Sequence, residues 1–369
     1  MTSRERLLRL FANRDIDRVP IWLLFPWHPI GCYADVRNLT IYAPVVDRIE
    51  QGACDSFDRR AVASGFCYNA NPDLRVTHSV TEESGVRTDE TIVTGPGLNL
   101  ARRHVIGKRG TYVKYYIEDP AELAAILRVP YVPPRPPLEP LRSEREEFGD
   151  RGLFMLDLGD PLGPLYHLMS ATDFSMATAT DYRALLDFTD AMEERVLALY
   201  RYFLEADAAD CYFIVGCEFA GPPIVSPARF SDMSARYVGK ICDLIRSYGK
   251  ISIVHYHGNL YHVRGGMKAI NPDALHTVEA PPIGDCTITQ AREILDPITL
   301  IGNVQYDDIC RLTPDEIEAS VKDALAQAEG GRFILSPTAG PYDANISNHA
   351  IANYLALIDA GIKYGKLNG

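Results

Sequence analysis

The sequence predicts an α/β protein built as one (β/α)₈ barrel over residues 1–369. Two observations lead to this prediction. Short runs of β-branched and aromatic residues alternate with longer amphipathic segments, which is the pattern of a parallel sheet with crossover helices. The runs number eight, as a closed barrel requires. They lie at 21–25, 53–57, 153–158, 212–216, 251–256, 275–280, 299–303 and 333–337.

The amphipathic segments between these runs are predicted helices. Thr2 and Glu5 have the spacing of a capping box, so a first helix should begin near Ser3. The segment 181–206 repeats apolar residues at helical spacing and is expected to pack on the outside of the sheet. Similar patterns predict helices at 227–248, 313–328 and 344–364.

Two segments depart from this alternation. From 75 to 117, polar and β-branched residues alternate around several glycines, which predicts an antiparallel β excursion inserted after the second strand. The segment 129–140 is rich in proline and is expected to be a rigid, extended connector. The strand that follows it is needed to complete eight, so we expect one domain.

The composition argues against several classes of protein. A net charge of −12 and a pI near 5.3 disfavour a nucleic-acid partner. No apolar stretch is long enough to span a membrane, and the charged N-terminus lacks the apolar centre of a signal peptide. We therefore expect a cytoplasmic protein that acts on a small molecule. The cysteines include no Cys-x-x-Cys pair, which argues against a disulfide framework and a zinc ribbon.

Polar side chains follow most of the predicted strands. The carboxyl ends of barrel strands meet at one rim, so these side chains are expected to converge on one pocket. Some have a second interpretation: a backbone amide could hold Asp157, and Trp27 could belong to the core. The candidate catalytic residues are Asp157, Glu218 and Tyr342, and the candidate substrate contacts are Trp27, His28, Asn303 and Gln305.

A His-x-His pair on the fifth predicted strand is the most specific local feature. Side chains alternate along a strand, so His255 and His257 should face the same way and could hold one divalent ion. Glu279 or Glu218 would supply a third ligand and leave a fourth position open. Alternatively, the two histidines are hydrogen-bonded side chains that line a polar cavity.

Four stretches of the chain together resemble a known superfamily. In chain order they are 5–22, 218–230, 255–259 with 279–295, and 302–305 with 330–343. They are similar to the uroporphyrinogen decarboxylase-like superfamily, which includes haem-pathway decarboxylases and zinc-dependent cobalamin methyltransferases. The resemblance implies a barrel enzyme and a homodimer.

The sequence departs from both branches of that superfamily. The decarboxylases carry Arg-Gln-Ala-Gly-Arg where residues 25–29 read Phe-Pro-Trp-His-Pro, so the arginines that clamp the substrate's carboxylates are missing. The methyltransferases bind zinc with His-x-Cys and a later Cys. Here His255 matches, His257 stands at the first Cys position and Ala339 at the second. The resemblance thus implies zinc, or another divalent transition metal, on the two histidines and a carboxylate such as Glu279.

Three functions follow as hypotheses. The leading one is a metal-dependent methyltransferase that works with a separate corrinoid protein, since the chain has no corrinoid-binding Asp-x-His-x-x-Gly motif. The alternative is a metal-independent decarboxylase of a small acid or a tetrapyrrole, in which Asp157 or Glu218 stabilises a protonated intermediate. The third is a non-catalytic binding protein.

Overall fold

A parallel sheet of seven strands lies at the centre of the protein, and a smaller antiparallel sheet of four strands lies beside it. These features come from a computed structural model, which describes residues 1–367. In chain order the strands are β1 (Ser56–Ala61), β2 (Arg75–Glu83), β3 (Val86–Gly95), β4 (Leu98–Gly107), β5 (Gly110–Lys114), β6 (Gly152–Asp157), β7 (Cys211–Ile214), β8 (Ile251–Tyr256), β9 (Ala274–Thr277), β10 (Thr299–Val304) and β11 (Phe333–Pro337).

The parallel sheet contains β1 and β6 to β11 in that order. Each strand pairs with the strand that follows it in this sheet, as expected when every connection crosses over through a helix. The predicted run at 53–57 begins three residues before β1 and ends four residues short of its end, because Arg59 and Arg60 extend this strand beyond its apolar part. The other six strands lie within a few residues of their predicted positions.

The first predicted run lies between the two edges of the parallel sheet. Trp22 donates its backbone N–H to Leu335 of β11 at 2.8 Å, and Ile21 accepts one from Asp55, next to β1, at 2.6 Å. A regular strand over 21–25 is nevertheless not formed, so that prediction is wrong. Leu24 has a φ of 61°, which interrupts the extended backbone. The sheet curls, and seven of the eight predicted strands are regular.

Helices cover the outer face of the parallel sheet and close one of its ends. The first begins at Ser3 as predicted, and Thr2 accepts a hydrogen bond from the backbone of Glu5 at 3.1 Å. The helices are α1 (Ser3–Phe11), α2 (Ala43–Glu50), α3 (Leu123–Arg128), α4 (Glu139–Phe148), α5 (Gly163–Leu168), α6 (Ala171–Thr180), α7 (Tyr182–Glu205), α8 (Pro227–Phe230), α9 (Arg236–Ser247), α10 (Arg264–Ile270), α11 (Ile288–Leu295), α12 (Tyr306–Arg311), α13 (Pro314–Gln327) and α14 (Asn348–Tyr364).

Two helix predictions need comment. The long helix predicted at 181–206 is α7, which buries an apolar stripe against the sheet. The helix predicted at 227–248 is instead two helices, α8 and α9, joined by a π-helical turn over Ser231–Ala235. Apolar periodicity marks the buried face of all three pieces and does not detect the change of helical pitch between them.

The antiparallel excursion is confirmed as the sheet of β2 to β5, which is inserted between β1 and β6. Its first strand is exposed throughout, whereas Val93, Leu98 and Leu100 of β3 and β4 are buried. The proline-rich connector after it is held to the loop that follows β1, because the carbonyl of Pro130 accepts hydrogen bonds from the side chains of Asn69 and Asn71 at 3.1 and 2.8 Å.

The core has two parts. A larger cluster fills the space between the sheet and its helices, and a smaller one fills the concave side of the curled sheet. All eight cysteines are free thiols, and only Cys32 and Cys310 are exposed. Within residues 1–367, no helix has the length and apolar character that crossing a membrane requires.

Candidate functional site

The concave side of the parallel sheet changes from apolar to polar toward the carboxyl ends of its strands. The apolar layer includes Phe57, Met155, Ile253, Ala274, Ile301 and Ile334. Side chains two positions apart on a strand share a face. In six of the seven strands the next residue on this side is polar, and in β7 it is Val215. These polar residues are Arg59, Asp157, His255, His276, Asn303 and Ser336.

Two histidines in this polar layer are bonded to each other. The register of β8 and β9 places His255 opposite His276, and their Nδ1 atoms are 2.7 Å apart. Nε2 of His276 lies 3.1 Å from the carbonyl oxygen of Pro337. The rings stack with centroids 4.9 Å apart.

This chain of contacts determines where the protons lie. A carbonyl oxygen can only accept, so Nε2 of His276 carries the proton and its Nδ1 has a lone pair. Nδ1 of His255 must then be the donor of the shared hydrogen bond, which leaves a lone pair on Nε2 of His255. Burial lowers the pKa of both rings, that of His276 to about 3, so both are neutral at physiological pH.

His257 follows the end of β8, and its ring centroid lies 4.6 Å from that of His255. Its Nδ1 contacts a carboxylate oxygen of Glu279 at 3.0 Å, and the second oxygen of Glu279 accepts the backbone N–H of Gly258 at 2.7 Å. Burial on its own would lower the pKa of His257, but the hydrogen bond and charge of Glu279, together with the charge of Glu218, outweigh it and raise the pKa.

Two further carboxyl groups follow β6 and β7. Glu218 is partly buried after β7 and accepts the backbone N–H of Gly216 at 3.0 Å. Asp160 is fully buried and accepts the backbone N–H of Gly163 at 2.7 Å, while its other oxygen has no partner within residues 1–367. Burial raises the pKa of Glu218 and raises that of Asp160 to about 8. Asp160 is therefore mostly protonated at neutral pH.

An arginine provides the positive charge of the polar layer. Nε of Arg59 donates to Asp157 at 3.0 Å, and a terminal nitrogen of the guanidinium bonds the same oxygen. Arg59 also donates to the hydroxyl of Tyr33 at 3.3 Å and covers the ring of Phe213 at 4.7 Å. The ring of Phe213 in turn lies 5.3 Å from that of His255, so the ion pair and the histidines are neighbours.

The structure does not bring every predicted residue to this group. Trp27 and His28 lie on the helix-facing side of the sheet, where their backbone N–H groups and the Nδ1 of His28 bond the buried carboxylate of Asp58. Tyr342 is 56% exposed and packs edge-on against Tyr33 at 5.3 Å, at the mouth of the pocket.

The last strands supply the amide residues. Asn303 lies two residues after Ile301 on β10, so its side chain is on the same, concave side of the sheet. Gln305 immediately precedes α12 and accepts a hydrogen bond from the hydroxyl of Thr338 at 3.2 Å, while its amide nitrogen is buried without a partner in the described part of the chain.

The predicted metal ligands differ in what they contact. One carboxylate oxygen of Glu279 contacts Nδ1 of His257 and the other accepts the backbone N–H of Gly258. Glu279 therefore orients the ring of His257 from the side opposite Nε2. The Nε2 atoms of His255 and His257 make no hydrogen bond within residues 1–367 and are the nitrogen donors that zinc prefers. The donor types therefore fit a divalent metal. Over the same residues, no three histidine, cysteine, aspartate or glutamate side chains are arranged to hold one.

Sequence reasoning missed three members of this group. Arg59 sits two residues after the buried Phe57, and His276 lies in a predicted strand, so period-two alternation could have placed both on the concave side. Tyr33 lies in a loop, and no local pattern marks it.

The fold and the site together define an α/β protein with a barrel-like sheet and a group of titratable side chains at the carboxyl ends of its strands. The family model for uroporphyrinogen decarboxylase (URO-D) matches residues 108–361. The chain therefore belongs to the uroporphyrinogen decarboxylase family, as the sequence resemblance indicated. No curated protein matches the sequence.

Two solved structures share this fold over nearly the whole chain. A methyltransferase from Methanosarcina mazei has a TM-score of 0.61 and 18% identity, with 99% of each chain covered. A B12-independent methionine synthase from Shewanella sp. W3-18-1, in complex with selenomethionine, has a TM-score of 0.51 and 11% identity, with 94% of this chain and 98% of that chain covered. At these identities the likeness concerns the fold alone.

Proposed function

We propose that the protein is a metal-dependent methyltransferase that receives or delivers the methyl group through a corrinoid on a separate protein. The observation that carries this proposal is the tautomer set by Pro337 and His276, which leaves a lone pair on Nε2 of His255 beside the free Nε2 of His257. Imidazoles held from behind by a carboxylate or another acceptor are the usual form of a histidine metal ligand.

In this proposal His255 and His257 hold a zinc ion or another divalent transition metal. Residues 1–367 do not place a third such side chain with them, so Glu218, whose charge acts on His257, would have to move to complete the ligand set. Otherwise Glu218, with its raised pKa, accepts the proton of the methyl acceptor. Glu279, which the sequence predicted as a ligand, orients His257. The metal would act as a Lewis acid on an oxygen or sulfur atom of the substrate.

Metal content tests the first step. We expect about one equivalent of a transition metal in the purified wild-type protein, and less than half as much in His257→Ala. His262→Ala is the matched control, since His262 is exposed and contacts Asp285 instead of the pocket. A wild-type protein that stays below half an equivalent after growth with added zinc, or a His257→Ala variant with unchanged metal, would contradict the proposal.

Methyl transfer tests the second step. The protein is mixed with free methylcobalamin and either a thiol or a phenol as acceptor, and loss of the methylcobalamin spectrum is followed. We expect a rate above that of the uncatalysed reaction, which falls on chelation and in His257→Ala but not in His262→Ala. An unchanged spectrum with every acceptor and with methylated donors plus reduced cobalamin would contradict methyl transfer.

The position of Arg59 supports decarboxylation as a second candidate function. Its guanidinium lies in the polar layer, where it could bind the carboxylate of a small acid in competition with Asp157. In that case turnover would release carbon dioxide and persist in the presence of a chelator. Loss of all carbon dioxide release on chelation would exclude this candidate.

A further inference from the structure

A cavity opens between the polar layer and the antiparallel sheet. Its volume is about 610 Å³, which is within the range of small-molecule sites. The residues of its wall used below are Phe66, Arg102, Tyr116, Asp157, Tyr166 and Phe219.

Aromatic side chains form much of its wall. The rings of Tyr166 and Phe219 lie with centroids 3.6 Å apart, and those of Phe66 and Tyr116 5.9 Å apart. Aromatic rings stack on or meet the edge of another flat ring better than they pack against a puckered aliphatic one. The wall therefore favours a planar ligand.

One cation at the cavity has no acidic partner. Arg102 of β4 makes no ion pair and no side-chain hydrogen bond within residues 1–367, whereas the adjacent Arg103 pairs with Glu90. The nearby acids do not neutralise it, because Asp157 is bonded to Arg59 and the buried Asp160 is mostly protonated at neutral pH. The guanidinium lies 5.6 Å from the ring of Tyr115, a contact that leaves its N–H groups available to an anion.

The cavity also borders the candidate catalytic residues. Asp157 lines it and bonds Arg59 at 3.0 Å. Arg59 packs on Phe213, whose ring contacts that of His255. A ligand in this cavity would lie beside Asp157 of the ion pair, and Arg59 and Phe213 connect that carboxylate to His255.

We propose that this cavity binds a planar aromatic carboxylate, with its ring among the four aromatic side chains and its carboxylate on Arg102. That such a compound is the substrate rests on the proposed function, whereas its binding does not. The ring would occupy the cavity, and a reactive substituent could reach toward the histidines.

Calorimetric titration of the full chain in the presence of a chelator tests binding without any methyl donor. The probes are 2-naphthoate, its neutral amide 2-naphthamide and the saturated decahydro-2-naphthoate. We expect 2-naphthoate to bind about tenfold tighter than either analogue. Arg102→Gln should remove this preference for the carboxylate over the amide, and Arg103→Gln should leave it intact. Phe219→Leu should reduce the preference for the flat ring.

Several results would overturn the inference. One is equal affinity of the wild type for the acid and the amide. A second is that Arg103→Gln loses the preference for the carboxylate as Arg102→Gln does. A third is no binding of 2-naphthoate to a wild-type protein that circular dichroism shows to be folded. Because no metal or methyl group takes part, these results leave the test of methyl transfer unaffected. Tight binding without turnover would support the cavity and count against the proposed reaction.

Discussion

At the scale of single residues, His276 determines which form of His255 faces the pocket. Its Nε2 proton is directed to the carbonyl of Pro337, so its Nδ1 must accept from His255. A histidine that is not itself a proposed ligand can in this way fix the lone pair that a metal or a substrate proton would meet. Neither ring needs a second proton, in agreement with the lowered pKa of both.

Substitutions of His276 should therefore distinguish the effect of its ring shape from the effect of its hydrogen bonds on His255. His276→Phe keeps a flat ring but removes the acceptor, so His255 should no longer be restricted to one tautomer, and its affinity for zinc should fall by about 10- to 100-fold. His276→Gln can donate to Pro337 and accept from His255, so it should retain most of both properties. ¹⁵N NMR of the histidine rings and competition with a chelating dye measure the two effects. Equal behaviour of the two variants would show that His276 acts only through packing.

The buried carboxyl group of Asp160 should make the free energy of unfolding depend on pH. Its pKa is raised from 3.8 to about 8 by burial, so the native state keeps a proton that the unfolded state has lost across this interval. The free energy of unfolding should thus fall as pH rises from about 4 to 8, with a contribution of up to about 1.4 kcal/mol per pH unit. Asp160→Asn should remove that contribution in urea titrations.

The exposed Asp243 of α9 provides the control for this measurement. Asp243→Asn should leave the pH dependence of the free energy of unfolding close to that of the wild type. If Asp160→Asn also follows the wild type over the whole interval, Asp160 is ionised in the native protein.

At the scale of elements, the turn after β7 depends on the missing side chain of Gly216. Its φ is 133°, and a Cβ atom there would lie 2.5 Å from a carboxyl oxygen of Asp160. Gly216→Ala should lower the free energy of unfolding by about 2–4 kcal/mol through strain and overlap. Gly97→Ala, at a φ of 69° with no atom within 4 Å, should cost only about 1 kcal/mol. If chemical denaturation shows that both variants lose a similar free energy of unfolding, the overlap with Asp160 does not add to the cost of Gly216→Ala.

At the scale of the whole molecule, Asp55 joins the N-terminal segment to the edge of the parallel sheet. This carboxylate is 1% exposed and accepts from Arg6 at 2.6 Å, from Arg18 at 2.7 Å and from the backbone of Ile21 at 3.0 Å. It therefore connects α1, the segment that lies between the sheet edges, and the start of β1. If it were removed, Arg18 would lose its carboxylate partner and Arg6 would keep only its pair with Asp17.

Asp55→Asn should accordingly lower the free energy of unfolding by about 3–5 kcal/mol. Asp359→Asn, which breaks an exposed pair with Arg48, should cost less than about 1 kcal/mol. Urea denaturation followed by circular dichroism compares the two variants. A loss of less than about 1 kcal/mol for Asp55→Asn would mean that water replaces its partners in the native state.

The sequence by itself determined most of the secondary structure, because helix and strand periodicity are properties of neighbouring residues. It also determined the inserted antiparallel sheet and the family. It failed over 21–25, where the apolar pattern is that of a strand but Leu24 adopts a positive φ. It ended β1 too early, since the strand continues through the charged Arg59 and Arg60.

Only the tertiary structure decided which polar groups meet. His255 and His276 are 21 residues apart, and Arg59 and Asp157 are 98 apart. Their pairing depends on the register between strands and on the curl of the sheet, and no local pattern encodes either. For the same reason the position of Glu279 behind His257, and the cavity between the two sheets, could not be derived from spacing along the chain.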